Sequence, residues 1–100
     1  MKTKTALFVR LEAKPGKETE VAQFLISAVP LVQAETGTTA WFALQFGPGS
    51  FAICDAFPNE TDRNAHLTGK VAAALMAKAS DLFIKPPVIE KADVLADKLP

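Results

Sequence analysis

Three stretches of this chain alternate in the manner of β-strands yet are apolar on both alternating faces. In Thr5–Ala13, Leu7, Val9, Leu11 and Ala13 point one way, with Ala6 and Phe8 on the other side. In Thr39–Phe46, Trp41 and Ala43 oppose Phe42, Leu44 and Phe46. In Ser50–Phe57, Phe51, Ile53 and Phe57 oppose Ala52, Cys54 and Ala56. A period of two is the signature of a strand, and strands apolar on both sides belong to sheets covered on both sides. A chain of 100 residues is one domain, spanning 1–100, so the sheet has few helices of its own to cover it.

The remaining pattern supplies those helices. Lys14-Pro15-Gly16 breaks the first strand. From Lys17 the period changes, and Val21, Phe24, Leu25, Ala28, Val29 and Val32 fall on one helical face. Pro30 removes a backbone donor, which predicts a kink or a fresh turn near Val29. Glu35-Thr36-Gly37-Thr38 ends the helix, with Gly37 offering a left-handed cap. Gly47-Pro48-Gly49 joins the next two strands as a hairpin. A turn centred on Pro48 sets Trp41 opposite Asp55 and Phe42 opposite Cys54. Asn59 is an N-cap for a short helix reaching about Leu67, and Asp62 completes a near capping box. A second apolar stripe follows in Val71, Leu75, Ala79, Leu82 and Phe83, flanked by Met76, until Lys85-Pro86-Pro87 stops it. Val88–Leu95 reads as the last strand.

The order β-α-β-β-α-β is the ferredoxin-like split βαβ, an α+β fold with an antiparallel sheet. Right-handed crossovers lead us to expect the first and last strands at the centre, with the hairpin strands outside. The helices of this arrangement lie on one face. The other face, apolar and several hundred Å² in area, is at or above the largest patch a monomer usually exposes. The expectation is a homodimer with sheet packed on sheet; the alternative is a C-terminal tail, Val94–Pro100, folded over the face.

Charge and cysteine count exclude several functions. Eleven basic residues balance eleven acidic ones, which gives no basic stripe for nucleic acid or acidic membranes. One Cys and one His argue against a disulfide framework and an all-protein transition-metal site. The apolar run Ala6–Val9 is too short for a signal sequence, and no run approaches a membrane span. The expected setting is cytoplasmic, with Cys54 reduced.

Three residues attract chemical attention. His66 is the one imidazole, and its ordinary pKa suits it to act as base or acid. Asp55 interrupts an apolar strand, where a carboxylate is costly unless bonded. It either serves structure, bonded to the Trp41 indole N–H, to Arg10 or to a backbone amide, or it orients His66. Cys54 has no basic neighbours and reads as an inert thiol. Gly47-Pro48-Gly49-Ser50 lacks the glycine spacing, the Lys and the following helix of a phosphate loop.

Taken together, Lys14-Pro15-Gly16-Lys17-Glu18, Glu35-Thr36-Gly37-Thr38 leading into Trp41, Phe51-Ala52-Ile53-Cys54-Asp55-Ala56-Phe57 with Ala65-His66-Leu67, and the Asp93-Val94-Leu95-Ala96 tail resemble the antibiotic biosynthesis monooxygenase family over nearly the whole chain. The resemblance implies a dimeric α/β barrel of ferredoxin-like subunits. It also implies a monooxygenase without metal, flavin or haem, acting with dioxygen on an electron-rich phenol, quinol or anthrone. His66 matches the family's His after the third strand and would be base or proton relay, with Asp55 as its orienter. Trp41, Phe57, Met76 and Phe83 would wall the pocket. The chain has no Tyr, which removes any mechanism that uses a phenol acid. Haem-degrading relatives carry an Asn on the first strand and a His on the later helix; here Val9 stands near the first position and a second His is absent. An isomerase, or a small-molecule-binding protein without catalysis, on the same barrel is the alternative.

Overall fold

The computed structural model describes residues 3–100. Its elements are β1 (Thr5–Glu12), α1 (Glu18–Ser27), α2 (Val29–Gln33), β2 (Ala40–Gly47), β3 (Ser50–Phe57), α3 (Glu60–Leu67), α4 (Lys70–Leu82) and β4 (Val88–Asp93).

Local chemistry explains most of the boundaries. After β1 the chain turns at Gly16, which sits at φ +84°, a left-handed conformation that suits glycine. Glu18 and Glu20 occupy the first turn of α1, where the helix dipole favours acids. The expected break near Val29 falls at Ala28: the helix stops at Ser27 and restarts at Val29. Pro30 then lies in the first turn of α2, where its missing N–H has no intrahelical acceptor to lose. Gly37, by contrast, is not the left-handed cap expected of it, since among the described residues only Gly16 has positive φ. Its role is close approach: a Cβ there would lie 2.5 Å from Asp62 Oδ1. The Asn59 cap forms, its side chain accepting from the Asp62 N–H at 2.8 Å.

The four strands form one antiparallel sheet in the order β2-β3-β1-β4. This corrects the expected order. β1 and β3 are central, and β4 is an edge strand. Each helical crossover skips one place in the sheet, so β3 returns from the hairpin into the gap beside β1, and β4 then finds room only on β1's far side. The hairpin register is the expected one, with Trp41 paired to Asp55 and Phe42 to Cys54.

One face of the sheet carries the helices. Leu7, Val9 and Leu11 of β1 and Phe51, Ile53 and Phe57 of β3 are all buried there, together with Val21, Leu25, Leu75 and Leu82 from the helices. Among the described residues, none covers the Phe42–Phe46 side of the second face. Phe42 and Phe46 are each 56% exposed, Leu44 is exposed between them, and Val88 is exposed on the same face at the opposite edge of the sheet. Arg10 lies over the Phe46 ring, 4.7 Å from its centroid. The C-terminal tail takes another course: the Val94 N–H bonds to the Lys4 carbonyl and the Thr3 hydroxyl donates to Asp97. It runs beside the N-terminus and leaves Phe42 and Phe46 open.

Edge strand β4 is fully exposed along its length and gains one anchor from α3. Arg63 is buried and donates from Nη1 to the carbonyls of Ala6 and Ala92, at 3.2 and 3.1 Å, with Nη2 paired to Glu60. A guanidinium satisfies several carbonyls at once, so Arg63 ties β1, β4 and α3 together.

Candidate functional site

Among the described residues, the helix-bearing face of the sheet buries one acid among its apolar side chains. Asp55 is 2% exposed, placed there by strand alternation between Ile53 and Phe57. Above it, α3 starts at the Asn59 cap and runs two turns to His66, in the last turn. A helix C-terminus favours a cationic side chain. His66 is buried, and its ring lies against Phe57, centroids 5.2 Å apart and tilted by 44°.

Both ring nitrogens of His66 meet carboxylates. Nδ1 is 2.6 Å from Glu35 Oε1, and Nε2 is 3.0 Å from Asp55 Oδ2. The second contact is an ion pair by distance, but neither Asp55 oxygen has a well-aligned hydrogen-bond donor. Glu35 Oε1 also accepts from the Thr38 hydroxyl at 2.6 Å. Burial alone would push the His66 pKa down, but the close contacts and negative charges of the Asp55 and Glu35 carboxylates outweigh it, and the pKa is raised. The two carboxylates thus hold a proton on the ring more firmly than a free histidine would. The two acids take opposite sides of the ring, and among the described residues no group of three or more His, Cys, Asp and Glu is arranged to hold a metal ion.

The three groups differ in access. The side chain of Glu35 is 21% exposed, that of His66 8% and that of Asp55 1%. Glu35 and His66 line a cleft of about 370 Å³ between the loop after α2 and the α3–α4 junction, with Leu31, Thr36, Asp62 and Lys70 around them. Glu35 also borders a second cleft of about 290 Å³, walled by Val29, Val32, Thr38 and Trp41. The Trp41 indole Nε1 is buried without a partner. Of the structural partners considered for Asp55, neither Trp41 nor Arg10 bonds it; the carboxylate faces His66 instead.

The structure therefore brings together His66, Asp55, Phe57 and Trp41, and separates them from the other two expected pocket residues. Met76 is 55% exposed, and Phe83 is a core residue; both border a different depression, near Lys14 and Ile84. Cys54 lies on the uncovered face, away from His66, which leaves no Cys–His pair. Burial, and after it the Asp55 charge, raises the Cys54 pKa. Glu35 and Thr38 escaped the sequence reading. Their segment, Glu35-Thr36-Gly37-Thr38, was read as the end of a helix and as part of the family resemblance, and neither reading marked the two side chains as site residues.

No family model matches the sequence, and neither does any curated protein. Solved structures do. The NE2512 protein of Nitrosomonas europaea, described as of unknown function, is 63% identical over 99% of this chain and 96% of its own, with a TM-score of 0.97. A structure described as an antibiotic biosynthesis monooxygenase matches at TM-score 0.78, with 15% identity over 92% of this chain and 99% of its own. Rv0793 of Mycobacterium tuberculosis matches at TM-score 0.82, with 14% identity over 94% of this chain and 97% of its own. The chain belongs to the same family as the NE2512 protein, and its ferredoxin-like fold is that of the antibiotic biosynthesis monooxygenases.

Proposed function

We propose that the protein is a cofactor-independent monooxygenase for an electron-rich phenol, quinol or anthrone, working as a homodimer. The observation that supports this reading is the Glu35–His66–Asp55 relay, whose Glu35 and His66 line the cleft with Asp55 buried behind them. Cofactor-free oxygenation needs a base that ionises the substrate in a site shielded from water. Glu35 is the most exposed member of the relay, and both ring nitrogens of His66 are taken, so Glu35 receives the substrate proton. His66 has no free nitrogen; it carries the compensating positive charge and holds Glu35 in place, while Asp55 fixes the ring from below. The substrate anion then gives one electron to dioxygen, and the radical pair combines. For an anthrone the net change is CH₂ + O₂ → C=O + H₂O, with one oxygen atom retained and the other leaving as water.

The uncovered sheet face supports the dimer. Burying several hundred Å² of apolar surface, at roughly 25 cal/mol per Å², contributes on the order of 10 kcal/mol before association costs. A second copy covers Phe42, Leu44 and Phe46 by two-fold symmetry.

The test is oxygen uptake above the uncatalysed rate, with a panel of hydroquinones and anthrones. Uptake that falls at least about a hundredfold in Glu35→Gln supports the reading, since a positioned base contributes about 10²–10⁴-fold. Uptake with no member of the panel refutes it. That result would favour the second reading, a small-molecule-binding protein without catalysis, in which His66 with both nitrogens occupied simply staples the loop after α2, β3 and α3 together.

A further inference from the structure

The two oxygens of the Glu35 carboxylate are not equivalent. Oε1 faces His66 Nδ1 at 2.6 Å and also accepts from the Thr38 hydroxyl at 2.6 Å. Among the described residues nothing bonds to Oε2, and the side chain stays 21% exposed. Oε2 lies against the α3–α4 junction, at Gly69. A Cβ at Gly69 would stand 3.4 Å from Oε2, 3.4 Å from the His66 carbonyl oxygen and 3.1 Å from that of Ala65. Gly69 lines the same cleft as Glu35 and His66. Its backbone has no need of glycine: it is the N-cap of α4 at φ −89° and ψ −171°, an extended geometry that any residue adopts. For capping alone, Ser, Asn or Asp would serve better. What glycine supplies at this position is clearance beside a carboxylate oxygen.

We infer that the substrate reaches Glu35 Oε2 across Gly69, and that the missing side chain at this position is what leaves Oε2 open to proton transfer. A base must come within about 2.6–3.2 Å of the atom that gives up its proton. A methyl group held 3.4 Å from Oε2 is in van der Waals contact with it and fills the room that a hydroxyl oxygen needs. The transfer runs from a substrate O–H to Oε2: the carboxylate gains the proton, and the substrate oxygen keeps the bonding pair. Thr38 and His66 hold Oε1, which keeps Oε2 turned to the junction. Gly69 is thus a specificity-determining position: it admits a ligand that presents an O–H to Glu35, and any side chain there takes the place of that O–H.

The inference rests on the proposed role of Glu35 as proton acceptor, and its test separates the two. His66 is the one His in the chain, so its ring C2–H gives a single proton resonance that reports on the cleft. Hydroquinone and 1,4-dimethoxybenzene, which lacks the hydroxyls, are titrated under argon into wild type, Gly69→Ala and Gly69→Ser. Ser restores a good N-cap and carries the same Cβ. The expected result is a saturable shift with hydroquinone in wild type, and an affinity at least about tenfold weaker in both variants, the equivalent of one hydrogen bond to a charged acceptor. The dimethyl ether has no proton to offer Oε2, so the variants should leave its affinity unchanged. The His66 titration curve should match wild type in both variants, whereas a role for Gly69 in packing alone would displace it. No shift in wild type, unchanged hydroquinone affinity in the variants, or an equal loss for both compounds overturns the inference. So does a displaced His66 titration, or a loss of folding, in both variants. Oxygen uptake on hydroquinone is then measured for the same proteins. Uptake unchanged by Gly69→Ala defeats the approach over Gly69 but not the oxygenase; selective loss of hydroquinone binding, with no uptake by wild type, defeats the oxygenase but not the approach.

Discussion

Removing the imidazole should cost more stability than any other single change near the cleft. In His66→Ala, Asp55, 2% exposed in the wild type, loses the imidazole that faces it. Breaking a buried ion pair by deleting one partner costs about 3–5 kcal/mol, because a charge is left buried alone. Glu35 loses less: it is partly exposed and keeps the Thr38 hydroxyl. Asp55→Asn removes the charge, keeps the shape, and should cost about 1–3 kcal/mol. The two changes act on one network, so the double variant should be more stable than their sum predicts, by roughly 0.5–3 kcal/mol. Urea denaturation at one fixed protein concentration reads all four proteins. The pH dependence adds a sign. The His66 pKa is raised in the folded chain, so its contribution is full below the unfolded value near 6.5 and is lost as pH climbs through the folded value. Wild type should therefore lose its advantage over His66→Ala as pH rises across that window. A cost under about 1 kcal/mol, additive single changes, or an advantage that grows with pH would each refute the buried imidazolium.

Other changes test the surrounding framework. Phe42→Asp with Phe46→Asp places charge on the uncovered face, and sedimentation should shift from twice the 10.7 kDa chain mass to the single chain; a wild-type protein already at 10.7 kDa refutes the dimer. Gly37→Ala forces a Cβ to within 2.5 Å of Asp62 Oδ1 and should destabilise by about 1–3 kcal/mol, measurable as a lowered denaturation midpoint. Asn59→Ala deletes the α3 cap and should cost about 1 kcal/mol, with amide exchange quickening first at Asp62, whose N–H loses the Asn59 side-chain oxygen.

Local pattern in this chain encoded faces, boundaries and pairing between neighbours. Alternation within Ser50–Phe57 put Asp55 on the helix side with Ile53 and Phe57, and the Gly47-Pro48-Gly49 turn paired it with Trp41. These are short-range consequences of a two-residue period and a tight loop, so they needed no knowledge of the rest of the molecule. The surplus of apolar surface was equally visible, because it follows from counting faces against helices. Strand order was not: which strand fills the gap beside β1 depends on how two crossovers share one sheet, and the periodicity of each strand is the same in either place. Glu35 was hidden for a related reason. It lies 31 residues from His66, in a segment whose polar residues suffice to end a helix. Its second role exists only because α3, started at Asn59, delivers an imidazole to the point where the loop after α2 comes down. The split among the four expected pocket residues has the same origin. Trp41 and Phe57 reach the relay through adjacent strands, whereas Met76 in the middle of α4 and Phe83 just past its end border a separate depression; a helical stripe records burial but not which part of the sheet it covers.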